Sequence, residues 1–179
     1  ALEDGADTDV NAVLESLSAT AEKPKATQAA KIEEKRAKAT DKAEKTATSV
    51  LDSGSPAAQF DQAKALFNNK QYAEAEEAFK HYLTTYPTRK EAKSARVHLG
   101  EAQLKQGKSE EAKSTFAKAY QANSKGSEGA RALLGLGESL AAKDKKKACV
   151  VLKKLKEDFP ENKPTIGRAN QLLTKYSCS

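Results

Sequence analysis

The sequence predicts an all-α fold: three helix pairs stacked in a right-handed superhelix, a C-terminal capping helix and a flexible N-terminal arm. Three segments can be aligned on the same apolar positions, and they span 60–87, 97–124 and 134–160. A small residue recurs in the first half of each segment, and a Pro or Ser closes each one. A supersecondary unit repeated every 36 or 37 residues is typical of stacked helical arrays.

The second half of each segment predicts an amphipathic helix. In the middle copy Ala112, Phe116 and Ala119 are spaced i, i+4, i+7, which places them on one face of a helix. One helix pair cannot bury such a stripe alone, whereas stacked neighbours can. The final segment, 165–176, has its own apolar face, and we expect it to cap the last repeat; the residues of that face are Ile166, Ala169, Leu172 and Leu173.

The small residues and the prolines complete the pattern. Ala63, Gly100 and Gly137 occupy equivalent positions, where a small side chain lets the first helix approach its partner closely. Pro87 and Pro160 end the second helices, because Pro cannot continue a helix. We therefore expect a repeat domain over 56–179, with repeats at about 57–88, 93–125 and 130–161 and the cap at 165–176.

Residues 1–55 differ in composition from the rest. Within 21–49 the only apolar side chain larger than Ala is Ile32, and no heptads are present. We expect a low-complexity linker that is largely disordered or transiently helical. Before it, one short stretch has an amphipathic spacing, which fits either a docking peptide or a patch with no stable structure; its apolar residues are Val10, Val13, Leu14 and Leu17.

Charge and composition narrow the class of function. Residues 56–179 hold 23 Lys and Arg against 14 Asp and Glu, yet no nucleic-acid-binding motif accompanies them, so we interpret the lysines as solvated helix surface. Motifs for nucleophilic catalysis, phosphate binding or metal ligation are also lacking. We expect no enzyme, no cofactor, no metal and no nucleic acid. No apolar run is long enough to span a bilayer.

The middle copy resembles a known repeat family at individual positions. Leu99-Gly100, Gly107, Ala112, Phe116 and Ala119 match the tetratricopeptide repeat pattern. The period exceeds the usual value of about 34 residues. This longer period makes 56–179 resemble the CpoB/YbgF family, as do the stretches "YPTRKEAKSARVHLGEAQLKQGKSEEA" and "LAAKDKKKACVVLKKLKEDFP". Members of that family are periplasmic proteins associated with the Tol–Pal system of Gram-negative bacteria.

The resemblance implies a non-enzymatic periplasmic adaptor. Such a protein would bind TolA and a peptidoglycan synthase, and would coordinate outer-membrane constriction with septal peptidoglycan synthesis. The chain begins at Ala1 and contains no Met, which fits a mature product without its signal peptide and equally a trimmed chain. Family members typically have an N-terminal trimerising coiled coil, whose heptads 1–55 lacks, so the oligomeric state stays open. The alternative function is a chaperone or assembly scaffold for secreted or envelope proteins.

The resemblance also implies a binding groove. In tetratricopeptide arrays the first helices line a concave surface suited to a helix or extended peptide. The corresponding positions are Ala57, Phe60, Lys64, Phe67 and Asn68; Ser94, Val97, Glu101, Leu104 and Lys105; and Arg131, Leu134, Glu138 and Ala141. The apolar members fit either inter-repeat core or partner contact. The charged members are clearer candidates for partner binding, because charges rarely face a core.

The two cysteines form a candidate disulfide. Cys149 lies in the first turn of the last repeat's second helix, and Cys178 follows the capping helix. Antiparallel helices that turn near 160–164 would bring these two positions together, as suits an oxidising periplasm. The alternative is a buried, inert Cys149 and a frayed Cys178.

Overall fold

The structure, a computed structural model, describes residues 12–15 and 54–178. Within them it contains helices and no strand, and the predicted fold class is confirmed. Residues 12–15 are helical. The helices of the repeat body are α1 (Pro56–Asn68), α2 (Tyr72–Thr85), α3 (Glu91–Lys105), α4 (Ser109–Ala122), α5 (Gly126–Leu140), α6 (Lys145–Asp158) and α7 (Lys163–Lys175).

Side-chain caps mark the start of some of these helices. At α1 the Ala58 N–H donates to Ser55 Oγ at 3.3 Å, and Pro56 occupies the first turn. At α6 the Lys147 N–H donates to Asp144 Oδ1 at 2.9 Å. The turn inside the second pair contains Gly107 at φ 75°, a conformation that glycine adopts without steric cost. Gly107 thereby allows the tight turn between α3 and α4.

The small-residue positions work as the sequence predicts. A Cβ added at Gly100 would lie 2.8 Å from Cε1 of Phe116, and one added at Gly137 would lie 2.7 Å from Cδ2 of Leu152. Phe116 and Leu152 are both fully buried. In the second and third pairs, the first helix therefore packs so closely that an added Cβ has no room, whereas the first pair has the fully buried Ala63 at this position.

A buried carboxylate links the first two repeats. Glu76 on α2 is 1% exposed. Its Oε2 accepts hydrogen bonds from Lys108 Nζ at 2.7 Å and Gln106 Nε2 at 2.8 Å, and its Oε1 lies 2.9 Å from Lys80 Nζ. Burial opposes ionisation of Glu76, but the hydrogen bonds from the two lysines and Gln106 outweigh it and lower the pKa of Glu76 to about 2. The ionised group joins α2 to the end of α3 and the turn after it.

The short N-terminal helical segment is packed into the core. Val13 and Leu14 are 2% and 5% exposed, and both belong to the apolar cluster that runs through the second and third repeats and α7. Ala12 and Glu15 are exposed. Of the two interpretations left open for this stretch, the structure agrees with a docked peptide. The rest of the expectation for 1–55, apart from residues 54 and 55, lies outside the described residues.

Candidate protein-binding groove

The first helices of the pairs form one layer. α1 packs on α3, α3 on α5 and α5 on α7, whereas second helices of successive pairs have no comparable packing. Because the first helices lie closer together than the second helices, they form the inner side of the stack. The residues predicted for the groove are carried by this layer.

The apolar groove residues fall into two groups. Phe60 and Val97 are 9% and 1% exposed, and the Phe60 ring centroid lies 5.6 Å from that of Tyr82. These two residues are inter-repeat core. A second group is partly exposed and packs against the core clusters. Its members are Phe67, Leu104, Leu134 and Ala141. This second group forms the apolar stripe of the groove.

Two of the predicted groove charges bind each other across a repeat interface. Nη2 of Arg131 on α5 donates to both carboxylate oxygens of Glu101 on α3 at 2.8 Å. Nδ1 of His98 lies 2.9 Å from Glu101 Oε2. Burial opposes ionisation of Glu101, but the hydrogen bond with His98 and the charge of Arg131 outweigh it and lower the pKa of Glu101 below its ordinary value. The ion pair is therefore structural as well as groove-lining.

The same ion pair recurs one repeat later. Glu138 on α5 accepts from Nε and Nη2 of Arg168 on α7, at 3.1 and 3.0 Å. Both pairs are separated by 30 residues. Sequence reasoning missed the partners Arg168 and His98, although Arg168 follows Arg131 by one repeat period. The two pairs link α3 to α5 and α5 to α7.

The first repeat lacks this pairing. Lys64 takes the position of the glutamates, and its Nζ lies 5.4 Å from the Phe60 ring centroid and 3.7 Å from Asp61. Asn68 and Lys105 are exposed. This half of the groove therefore presents cations beside the partly exposed Phe67, an arrangement that favours an apolar ligand with acidic residues.

The disulfide lies away from the groove. Cys149 on α6 is joined to Cys178, just after α7, with their Cα atoms 5.5 Å apart. This is the pairing expected from the sequence. Lys145, Lys146 and Lys153 line a cavity of about 390 Å³ beside it. The bond fastens the end of the capping region to the last repeat.

Two features are absent from the described residues. Within 12–15 and 54–178, no group of three His, Cys, Asp or Glu side chains is placed to hold a metal ion. Among the helices of the same residues, none combines the length and apolar character needed to cross a membrane.

Comparison with protein families gives a match. A family model described as tetratricopeptide repeat matches residues 27–90 and 97–148, more than half of the chain. The first match begins ahead of α1, and the second runs from within α3 into α6. A search of curated proteins finds no match.

Proposed function

Because the chain belongs to the tetratricopeptide repeat family, we propose that it is a non-enzymatic adaptor that binds a protein partner through the groove of α1, α3 and α5. The observation that carries the proposal is the apolar stripe, whose members stay partly exposed on a layer braced by ion pairs. An amphipathic helix or an extended peptide can bury such a stripe without moving the backbone. Lys64 and Lys105 favour a partner with acidic residues beside its apolar ones.

The finer proposal concerns the partner and the compartment. The chain acts in the periplasm as an adaptor of the Tol–Pal system, binds TolA, and coordinates outer-membrane constriction with septal peptidoglycan synthesis. The resemblance of 56–179 to the CpoB/YbgF family supports this proposal. The disulfide between Cys149 and Cys178 is compatible with it, because disulfides persist in oxidising compartments.

Isothermal titration of the full chain with a purified TolA fragment tests both the groove as the binding site and the Tol–Pal assignment. Lys105→Glu reverses an exposed charge in the groove, and Lys118→Glu is the matched control on α4, also exposed. Leu104→Asp places a charge in the apolar stripe. We expect Lys105→Glu to weaken binding several-fold, Leu104→Asp roughly tenfold or more, and Lys118→Glu to leave it within about twofold.

The pattern of results tests the groove and the Tol–Pal assignment separately. Binding that neither groove substitution weakens contradicts the groove as the site. Absence of TolA binding by wild type removes the Tol–Pal assignment. If the same protein then suppresses aggregation of unrelated envelope proteins, the chaperone alternative replaces it.

A further inference from the structure

We propose that the N-terminal segment centred on Val13 and Leu14 is an intramolecular ligand of the groove's apolar stripe and competes there with an external partner. The proposal rests on the proposed function in one respect, namely that partners use this groove. It adds a regulatory element: the chain contains its own occupant for the site.

The burial of the segment shows that it has a receptor on the repeat body. Val13 and Leu14 are almost fully buried in the cluster of the second and third repeats, while Ala12 and Glu15 on the same turn are exposed. One face of the segment is therefore packed and the opposite face is solvated. This is how an amphipathic helix lies in a groove.

The candidate receptor surfaces are the partly buried apolar side chains that pack against this cluster. These side chains form two sets. The groove set is Leu104, Leu134 and Ala141, and the set towards the C-terminal end is Val150, Phe159, Leu173 and Tyr176.

Three members of the C-terminal set line open cavities. Val150 and Tyr176 line the cavity of about 390 Å³ next to the disulfide, and Phe159 lines another of about 480 Å³. We place Val13 and Leu14 against the groove set, whose members line neither of these cavities.

Charge and covalent attachment both favour this docking. The first twenty residues contain five acidic residues and no Lys or Arg, whereas 56–179 carries a net charge of +9 (23 basic against 14 acidic residues). Forty residues, 16–55, connect the segment to α1. Because the docking is intramolecular, an external partner competes with a local concentration that the connecting chain sets. The segment also has the apolar and acidic chemistry that the groove favours.

Methyl NMR of the full chain, labelled at Leu and Val, tests the proposal. Val13→Asp/Leu14→Asp removes the apolar face of the segment, and Ala12→Asp is the matched control on its exposed side. We expect the double variant to shift the methyl signals of Leu104 and Leu134 and to leave those of Val150 unchanged. Ala12→Asp should resemble wild type.

A synthetic peptide of residues 9–18 then serves as the probe. Added to the double variant, it should restore the wild-type signals, and it should bind the double variant at least about tenfold more tightly than wild type, whose groove is already occupied. Shifts at Val150 and Leu173 instead of the groove leucines, or no shifts at all, overturn the proposal. Circular dichroism confirms that each variant keeps the helical fold.

The TolA fragment distinguishes this proposal from the proposed function. Tighter binding of TolA by the double variant than by wild type supports competition, and equal binding contradicts it. If TolA binds neither protein while the peptide result holds, the Tol–Pal assignment fails and the internal ligand stands.

Discussion

Replacement of Gly135 by Ala tests the packing of the repeats most sharply. Gly135 on α5 faces the ring of Phe116, which is fully buried between α5 and Gly100 of α3. A Cβ at Gly135 would lie well inside the closest approach that real Cβ atoms show to three atoms of that ring. The backbone of Gly135 is not in a left-handed conformation, so any loss of stability comes from packing.

Two opposing terms set the size of the effect. Ala in place of Gly inside a helix stabilises by roughly 0.5–1 kcal/mol. Overpacking a well-filled core typically costs about 1–3 kcal/mol, and the Phe116 ring has helices on both sides and little room to move. We expect Gly135→Ala to lower the free energy of unfolding by about 1–2 kcal/mol.

Gly167→Ala provides the control, because Gly167 lies inside α7 with nothing within 4 Å of an added Cβ. This variant should gain about 0.5–1 kcal/mol, since only the helix term applies. In urea unfolding, a difference of about 2 kcal/mol separates the two midpoints by roughly 1 M. Equal or greater stability of Gly135→Ala relative to wild type would refute the packing argument.

Three further predictions concern polar and covalent links. The pKa of Glu76, about 2 in the fold, lies below its ordinary value of 4.5; its ionised form therefore stabilises fully above pH 4.5, by an amount of order 3 kcal/mol, and this contribution disappears as pH falls towards 2. Glu76→Gln should remove that part of the pH dependence, and unfolding curves of both proteins that stay parallel between pH 5 and 2.5 would count against it. Reduction of the Cys149–Cys178 disulfide, which spans 29 residues, should cost about 3–4 kcal/mol, measured by urea unfolding with and without reductant; an unchanged midpoint would be inconsistent with a stabilising bond. A double-mutant cycle on Glu101 and Arg131 should give a coupling of about 1 kcal/mol, because the pair is partly buried and hydrogen-bonded; a coupling near zero would show that the pair does not brace the repeats.

The repeat architecture was accessible from sequence because its determinants are local and periodic. The Ala112, Phe116 and Ala119 stripe predicts the buried face of α4, and all three are buried. The Gly100 and Gly137 positions predict close helix approach, which the contacts with Phe116 and Leu152 confirm. These features repeat with the period, so each copy supports the others.

The groove was only partly predictable. Sequence spacing places Glu101 and Arg131 on the inner layer. Their mutual pairing, however, depends on how closely α3 and α5 pack, and the two residues are 30 positions apart in the sequence. The choice between core and contact at Phe60 and Leu104 likewise depends on tertiary packing: one is buried among aromatic rings and the other stays partly exposed.

The burial of the N-terminal segment could not be derived from its own residues. The spacing of Val13 and Leu14 predicts an apolar face, yet a single short face in a polar stretch is equally compatible with no stable structure. Whether this face is buried depends on its receptor, which is an apolar cluster in repeats at least eighty residues further along the chain.

The central claim, that a protein partner binds in the groove of α1, α3 and α5, is tested most directly by mapping. Leu and Val methyl signals of the full chain would be followed during titration with the TolA fragment. We expect the signals of Leu104 and Leu134 to be perturbed, together with those of Val13 and Leu14 because the partner displaces the N-terminal segment, while Leu83 on α2 and Val150 on α6 stay unchanged. Perturbation confined to Leu83 and Val150 would contradict it, because the partner would then bind the second helices.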